Sequence, residues 1–187
     1  MNINLVTSNL GKVEELTHIL EPFGHKASQL QVDCPEIQAP TLEEVVDFGL
    51  DWLSAKKIQT PFIIDDAGIF IEVLQNFPGV YSRYVYDTIG LQGVLKQMEG
   101  LEDKSTKFKC VLGLMLEDGS KHKFVGECKG NLISEIRGTG GFGYDPIFIP
   151  DGYERTFSEL SPEEKNSISH RGRAMEKLVN FLSSMEN

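Results

Sequence analysis

The 187-residue chain has little of what would place it outside the ordinary globular class. It holds three cysteines, Cys34, Cys110 and Cys128, an odd number without the paired short spacings of a zinc site or a disulfide framework. A reducing, cytoplasmic location is expected. No apolar run approaches the ~20 residues that a membrane span needs. The opening, Met1 to Lys12, lacks the basic stretch and long apolar run of a secretory leader. Neither membrane insertion nor secretion is expected. Positive charge is also scarce: 18 Lys and Arg against 28 Asp and Glu leave a formal charge of −10. That balance argues against a surface that gains affinity by neutralising the phosphates of bulk nucleic acid. Internal repeats, low-complexity stretches and linkers are missing too, so residues 1–187 read as a single domain of at most two lobes.

What is present is a mixed pattern. Ile3 to Thr7 reads as a strand, and Val13, Leu16, Ile19 and Leu20 form a helical stripe stopped by Pro22 and Gly24. Thr41 and Glu44 make a capping box ahead of a second stripe, Val45, Phe48, Trp52 and Ala55. Pro61 to Asp65 reads as a buried strand ending at the Asp pair, Ile69 to Val73 alternates, and Asn76 to Gly79 carries turn formers. Leu91, Val94, Leu95 and Met98 predict a helix closed by Gly100. Phe108 to Leu116 alternates as a half-buried strand, and after the turn at Glu117 to Ser120 the segment Lys121 to Ser134 returns antiparallel. Ser161-Pro162-Glu163-Glu164 has the order of a helix start. A final helix after His170 carries Ala174, Leu178, Phe181 and Met185. The expected architecture is α/β, a mixed sheet covered by helices.

An acidic chain still binds a small polyanion if it concentrates amides, basic side chains or a metal at one place. Four segments are candidates. Thr7-Ser8-Asn9-Leu10-Gly11-Lys12 sits where a strand runs into a helix, with hydroxyl, amide and ammonium groups near the positive end of the helix dipole. The plainer reading makes Ser8 or Asn9 a helix cap and leaves Lys12 in solvent. The segment lacks the glycine spacing of a P-loop. Asp65-Asp66-Ala67-Gly68 offers two carboxylates suited to magnesium and to activating water, and Glu36 is a further oxygen donor. Its plainer reading is an Asp pair ordering a turn.

The third segment, Gly138 to Pro146, contains the spacing GxGxxG, but Asp145-Pro146 disfavours a helix after the last glycine, so a dinucleotide fold is rejected. Glycines around Phe142 and Tyr144 suit a loop that lays an aromatic ring on a flat ligand such as a nucleobase, against the reading of Phe142 as a core plug. The fourth, Glu164 to Gly172, gathers Lys165, His170 and Arg171, groups that hold phosphate or carbonyl oxygens. Its plainer reading is a basic helix edge balancing Glu163 and Glu164.

Together these segments resemble the inosine triphosphate pyrophosphatase family across nearly the whole chain. The resemblance rests on Thr7, Asn9 and Lys12, then Glu36, Asp65-Asp66-x-Gly68, Pro78-Gly79-Val80-Tyr81-Ser82, Gly141 to Phe148, Glu164-Lys165-Asn166 and Ser169-His170-Arg171-Gly172, in that order. It implies an elongated, twisted mixed sheet flanked by helices, two lobes with a central cleft, and a homodimer. The reaction implied is magnesium-dependent hydrolysis of ITP, dITP or XTP to the monophosphate and pyrophosphate, which clears deaminated purines from the nucleotide pool. Carried over, Thr7, Ser8, Asn9 and Lys12 hold phosphates, Glu36, Asp65 and Asp66 serve the metal, and Asp66 activates water with Lys12 offsetting charge. Ala67, Phe142, Gly143, Tyr144, Asp145, Lys165, His170 and Arg171 contact the substrate. The chain departs from the family pattern at Ala67, where many members carry Ser or Thr, at Gly49, where many bacterial members carry Lys, and where Ser82 is followed directly by Arg83. A Maf-like nucleotide pyrophosphatase lacks the two C-terminal segments. A non-catalytic nucleotide sensor would not need the retained acids.

Overall fold

The computed structural model describes residues 1–185 as a mixed α/β structure. Its elements are β1 (Asn2–Val6), α1 (Leu10–Leu20), β2 (Lys26–Leu30), α2 (Leu42–Ala55), β3 (Phe62–Ile71), β4 (Phe77–Pro78), α3 (Ser82–Gln97), β5 (Ser105–Met115), β6 (Lys121–Leu132), β7 (Phe148–Pro150), α4 (Pro162–Ile168) and α5 (His170–Met185). The strands form one seven-stranded sheet in the order β2-β1-β3-β5-β6-β7, with β4 paired to β3. β1 runs parallel to both β2 and β3, whereas β4 is antiparallel to β3 and β7 antiparallel to β6. The alternation of strand and helix through α2 explains the parallel part, because parallel neighbours need a crossover connection.

The chain divides into two compact units. The first comprises Met1–Asp66, Cys110–Gly126 and the chain from Arg171 on. Leu16 and Leu20 of α1, Leu50 and Leu53 of α2, and Leu178 and Leu182 of α5 are buried in it. Gly113 of β5 marks a close approach to α2, since a Cβ there would lie 2.5 Å from a methyl of Val46 and 3.0 Å from one of Leu50. The buried face of α2 is therefore Leu42, Val46, Gly49, Leu50 and Leu53, one residue round from the predicted stripe; Val45, Phe48 and Trp52 are half-buried and Ala55 is exposed. The helix is apolar on more than one side, and spacing alone does not choose which side meets the sheet. The same correction applies at the end of α5, where Leu182 is buried and Met185 is exposed.

The second unit comprises Ala67–Lys109 and Glu127–His170. Its core contains Ile69, Val94, Met98, Phe108, Phe148 and Phe157. Phe108 meets Phe148 edge-on at 4.8 Å between ring centroids. α3 begins at Ser82, earlier than the apolar stripe predicts, and departs from helical geometry at Gly90, whose φ of 62° is open to glycine at little cost. α4 starts at Ser161 as expected, and the start is a capping box: Ser161 accepts from the Glu164 N–H, and the Glu164 carboxylate accepts from the Ser161 N–H.

Two strands differ from expectation. β3 runs unbroken through the Asp pair to Ile71, so Asp65 to Gly68 lies inside a strand instead of at its end. The second half of β5 is buried on both faces, not alternating, which is what a strand inside a sheet covered on both sides shows.

Candidate active site

In the first unit the site residues are built on three elements. At the start of α1, Asn9 caps the helix, its side-chain oxygen accepting the Gly11 N–H at 2.9 Å. The Asn9 N–H in turn donates to Thr7 Oγ1 at 3.1 Å, and Ser8 between them is exposed. The capping reading and the anion-site reading coexist here, because a capped helix start still directs N–H groups and a positive dipole outward. One turn into α1, Lys12 does not extend into solvent. Its ammonium donates to the Asp65 carbonyl at 3.2 Å and forms an ion pair with Asp65 Oδ1.

Asp65 is the centre of a buried charge cluster. Arg171, at the start of α5, donates from Nε to Asp65 Oδ2 at 2.8 Å and from Nη1 to Glu15 Oε2 at 2.8 Å. The Cys110 thiol lies 3.5 Å from Asp65 Oδ2. Burial alone would raise the Asp65 carboxyl, but Arg171 and then Lys12 overcome it and hold the group well below the usual carboxylate range. Burial likewise opposes the charge on Arg171, and Asp65 and Glu15 more than restore it. The Cys110 thiol is pushed up, by burial first and by the Asp65 charge second, so it is a poor nucleophile.

Asp65 is the acceptor for two cations, and successive side chains on β3 point to opposite faces, which directs Asp66 away from that cluster. Glu36 is exposed on the segment between β2 and α2, near enough to Cys34 to raise its thiol after burial has done so. Among the described residues no three His, Cys, Asp or Glu side chains converge to hold a metal. Gly49 is also accounted for: it is buried in α2, and a Cβ there would lie 2.7 Å from Ile64 Cδ1. A lysine could not take that position without moving the side chain it packs on.

In the second unit the glycine-rich segment is a loop followed by a short 3-10 turn at Asp145–Ile147, with no α-helix opening after it. That agrees with rejection of the dinucleotide fingerprint. Phe142 is 39% exposed and so is no core plug. Its N–H donates to Asp145 Oδ2 at 2.8 Å, and Lys165 donates to the same oxygen at 2.8 Å. The Lys165 ammonium also sits 4.6 Å from the Phe142 ring centroid. Gly141 permits this turn, because its φ is 68° and a Cβ would fall 2.1 Å from Asp145 Oδ2. Gly143, also at positive φ, and Ala67 of β3 are both partly exposed.

The basic segment is not a solvated helix edge. Lys165 is 6% exposed, His170 4% and Arg171 3%. The His170 ring stacks on Phe108, 4.7 Å between centroids and 12° from parallel. Tyr144 is buried as well, and its hydroxyl donates to the Ser82 carbonyl at 2.8 Å. The sequence reading missed Glu15 and assigned no role to Ser82. Glu15 lies three residues after Lys12, hence on the same face of α1, and that spacing was the available signal.

The model of the Ham1 family matches residues 3–181. The chain belongs to the Ham1 family. Its Ham1 relatives include the dITP/XTP pyrophosphatase of Pyrococcus horikoshii, 54% identical over 182 residues that cover 97% of each chain. The dITP/XTP pyrophosphatase of Thermococcus kodakarensis is 52% identical over the same length and coverage. Among solved structures, a HAM1 protein from Coxiella burnetii aligns with a TM-score of 0.85 at 33% identity, covering 98% of this chain and 99% of that one. The Ham1 protein of Staphylococcus aureus aligns with a TM-score of 0.85 at 27% identity, covering 99% of this chain and 100% of that one. The Ham1 fold is thus the seven-stranded open sheet with flanking helices described above.

Proposed function

We propose that this chain hydrolyses the triphosphates of deaminated purines, ITP, dITP and XTP, to the monophosphate and pyrophosphate. Relatives that share half of its residues over nearly its whole length are named dITP/XTP pyrophosphatases. The observation that carries the reading in this chain is the position of Asp66, a carboxylate fixed on a central strand directly after the ion-paired Asp65. A base must be held still to be effective.

In this reading Thr7, Ser8, Asn9 and the amides at the start of α1 receive phosphate oxygens, and Lys12 offsets their charge. Asp66 takes a proton from the attacking water. The new bond forms between the water oxygen and the α-phosphorus, the bond to the bridging oxygen breaks, and pyrophosphate leaves. Phe142 stacks on the base, and Gly143, Asp145, Lys165 and His170 frame its polar edge. A pocket built to pair with a 6-oxo purine rejects a 6-amino one, by as much as ~10⁴-fold in sites of this kind. Arg171, tied to Asp65 and Glu15, supports the charge cluster.

Asp66 and Glu36 supply the hard oxygen donors that magnesium prefers, together with the substrate's own phosphates. Bound there, magnesium would neutralise charge on the triphosphate. Asp65 fits that role less well, since both of its oxygens face cations. No helix among the described residues is long and apolar enough to cross a membrane. We further assign a cytoplasmic location and a homodimer, the second of which light scattering of the purified protein tests.

The deciding experiment is product analysis of ITP and ATP incubated separately with the protein and magnesium. IMP and pyrophosphate from ITP, with ATP nearly intact and chelation stopping turnover, are expected. Binding of ITP without turnover would make the chain a sensor. Release of diphosphate or orthophosphate would move the attack away from the α-phosphorus.

A further inference from the structure

The loop assigned above to the purine base is held by Lys165 of α4 at Asp145 and by Ser82 of α3 at Tyr144. Ser82, 5% exposed at the start of α3, is a junction: its hydroxyl accepts the Ile69 N–H of β3 at 2.8 Å and donates to the Gly79 carbonyl at 2.6 Å. Its own carbonyl accepts from the Tyr144 hydroxyl at 2.8 Å. The junction has little freedom, because β3 and the turn before α3 abut so closely that a Cβ on Gly68 would lie 2.3 Å from the Gly79 carbonyl oxygen. The Tyr86 ring meets Tyr144 edge-on at 5.7 Å. Within the loop Gly141 and Gly143 both sit at positive φ, and the contacts of Phe142 with Asp145 and Lys165 are contacts with its own turn and α4.

We propose that Tyr144 is a positioning residue for purine recognition, its hydroxyl tethering the Phe142–Asp145 loop to the Ser82 junction on β3 and α3. The inference rests on the assignment of that loop to the base, and it replaces the expectation that Tyr144 touches substrate. A side chain 5% exposed whose hydroxyl proton is already given to a carbonyl has little left to offer a ligand. Its neighbours in sequence, Phe142 and Asp145, are the residues whose placement it sets.

The test is Tyr144→Phe, which removes one oxygen and leaves the packing. Loss of a single neutral hydrogen bond that holds the loop should raise KM for ITP about fivefold, equivalent to ~1 kcal/mol. It should lower the ITP-over-ATP ratio of kcat/KM by a similar factor, with kcat changing by less than about twofold because Asp66 and its water are untouched. ITP affinity measured by calorimetry on the same preparations should fall in step with KM. A melting temperature that drops while KM, affinity and the ITP-over-ATP ratio stay at wild-type values would reduce the tether to ordinary packing and overturn the proposal. So would a fall in kcat at unchanged KM, which would place the hydroxyl in the chemistry. If the wild-type protein releases no pyrophosphate from ITP in the same assay, the functional reading itself fails, and the inference with it.

Discussion

Arg171 Nε donates to Asp65 Oδ2 at 2.8 Å, joining residues 106 positions apart in a pair whose side chains are 4% and 2% exposed. Removing one member of a buried, hydrogen-bonded ion pair leaves the other charged and dry, which costs about 3–5 kcal/mol. Arg171→Met is therefore expected to lower the urea midpoint strongly. Arg171→Lys should recover only part of the loss, since one ammonium cannot fork onto both Asp65 and Glu15. Equilibrium denaturation of the two variants checks this.

The same pair sets an acid dependence. The Asp65 carboxyl is lowered on folding, so its contribution is fully present above the unfolded value of ~3.9 and is lost as pH falls below it toward the folded value. Wild-type stability should decline on acidification below about pH 4. Asp65→Asn should be less stable at neutral pH and should show a shallower decline over that acid range. Parallel slopes for the two proteins would show that Asp65 is not the group responsible.

Asp66→Asn should reduce pyrophosphate release from ITP by about 10²–10⁴-fold, the usual contribution of a general base. Nucleotide binding by calorimetry should be largely retained. Turnover near the wild-type rate would remove Asp66 from the role of base.

Phe142→Ala should act on binding rather than on stability. The ring is 39% exposed, so its loss leaves the core intact. Stacking is worth about 0.5–1.5 kcal/mol beyond burial, which predicts a KM for ITP raised about two- to twelvefold. An unaltered KM would mean that the ring does not meet the base.

Gly141→Ala tests the loop from its backbone. The residue sits at φ 68°, and the added methyl would collide with the carboxylate of Asp145. A strained φ of this kind costs about 1–3 kcal/mol. The expected result is a modest fall in melting temperature and a larger loss of ITP affinity, because the displaced Asp145 also accepts from Phe142 and Lys165.

How much was legible in the sequence differs from element to element. The helix start at Ser161 and a cap at Ser8 or Asn9 were readable, since each is made within a few residues and depends on local geometry. The helical stripe through Val94 and Met98 was readable for the same reason. The face that α2 buries was not, because its apolar residues spread around the helix and the fit of Gly113 against Val46 and Leu50 decides the side. Nor was the continuity of β3 through Asp65 and Asp66, where two acids and a glycine read locally as a turn although the strand runs through them.

The candidate site divides in the same way. Residue types and order alone determined the acidic balance, the starts of α1 and α4, the glycine-rich loop and the family resemblance, and they nominated the candidate site residues. Tertiary structure decided what those residues do with one another. Lys165, His170 and Arg171 read as a charged surface run, yet they are buried, and the partners of Lys165 and Arg171 come from 20, 106 and 156 positions away. The physical reason is that the cost of burying a charge is set by which opposite charge the fold brings beside it, and that pairing belongs to the packing of distant elements, not to any local pattern.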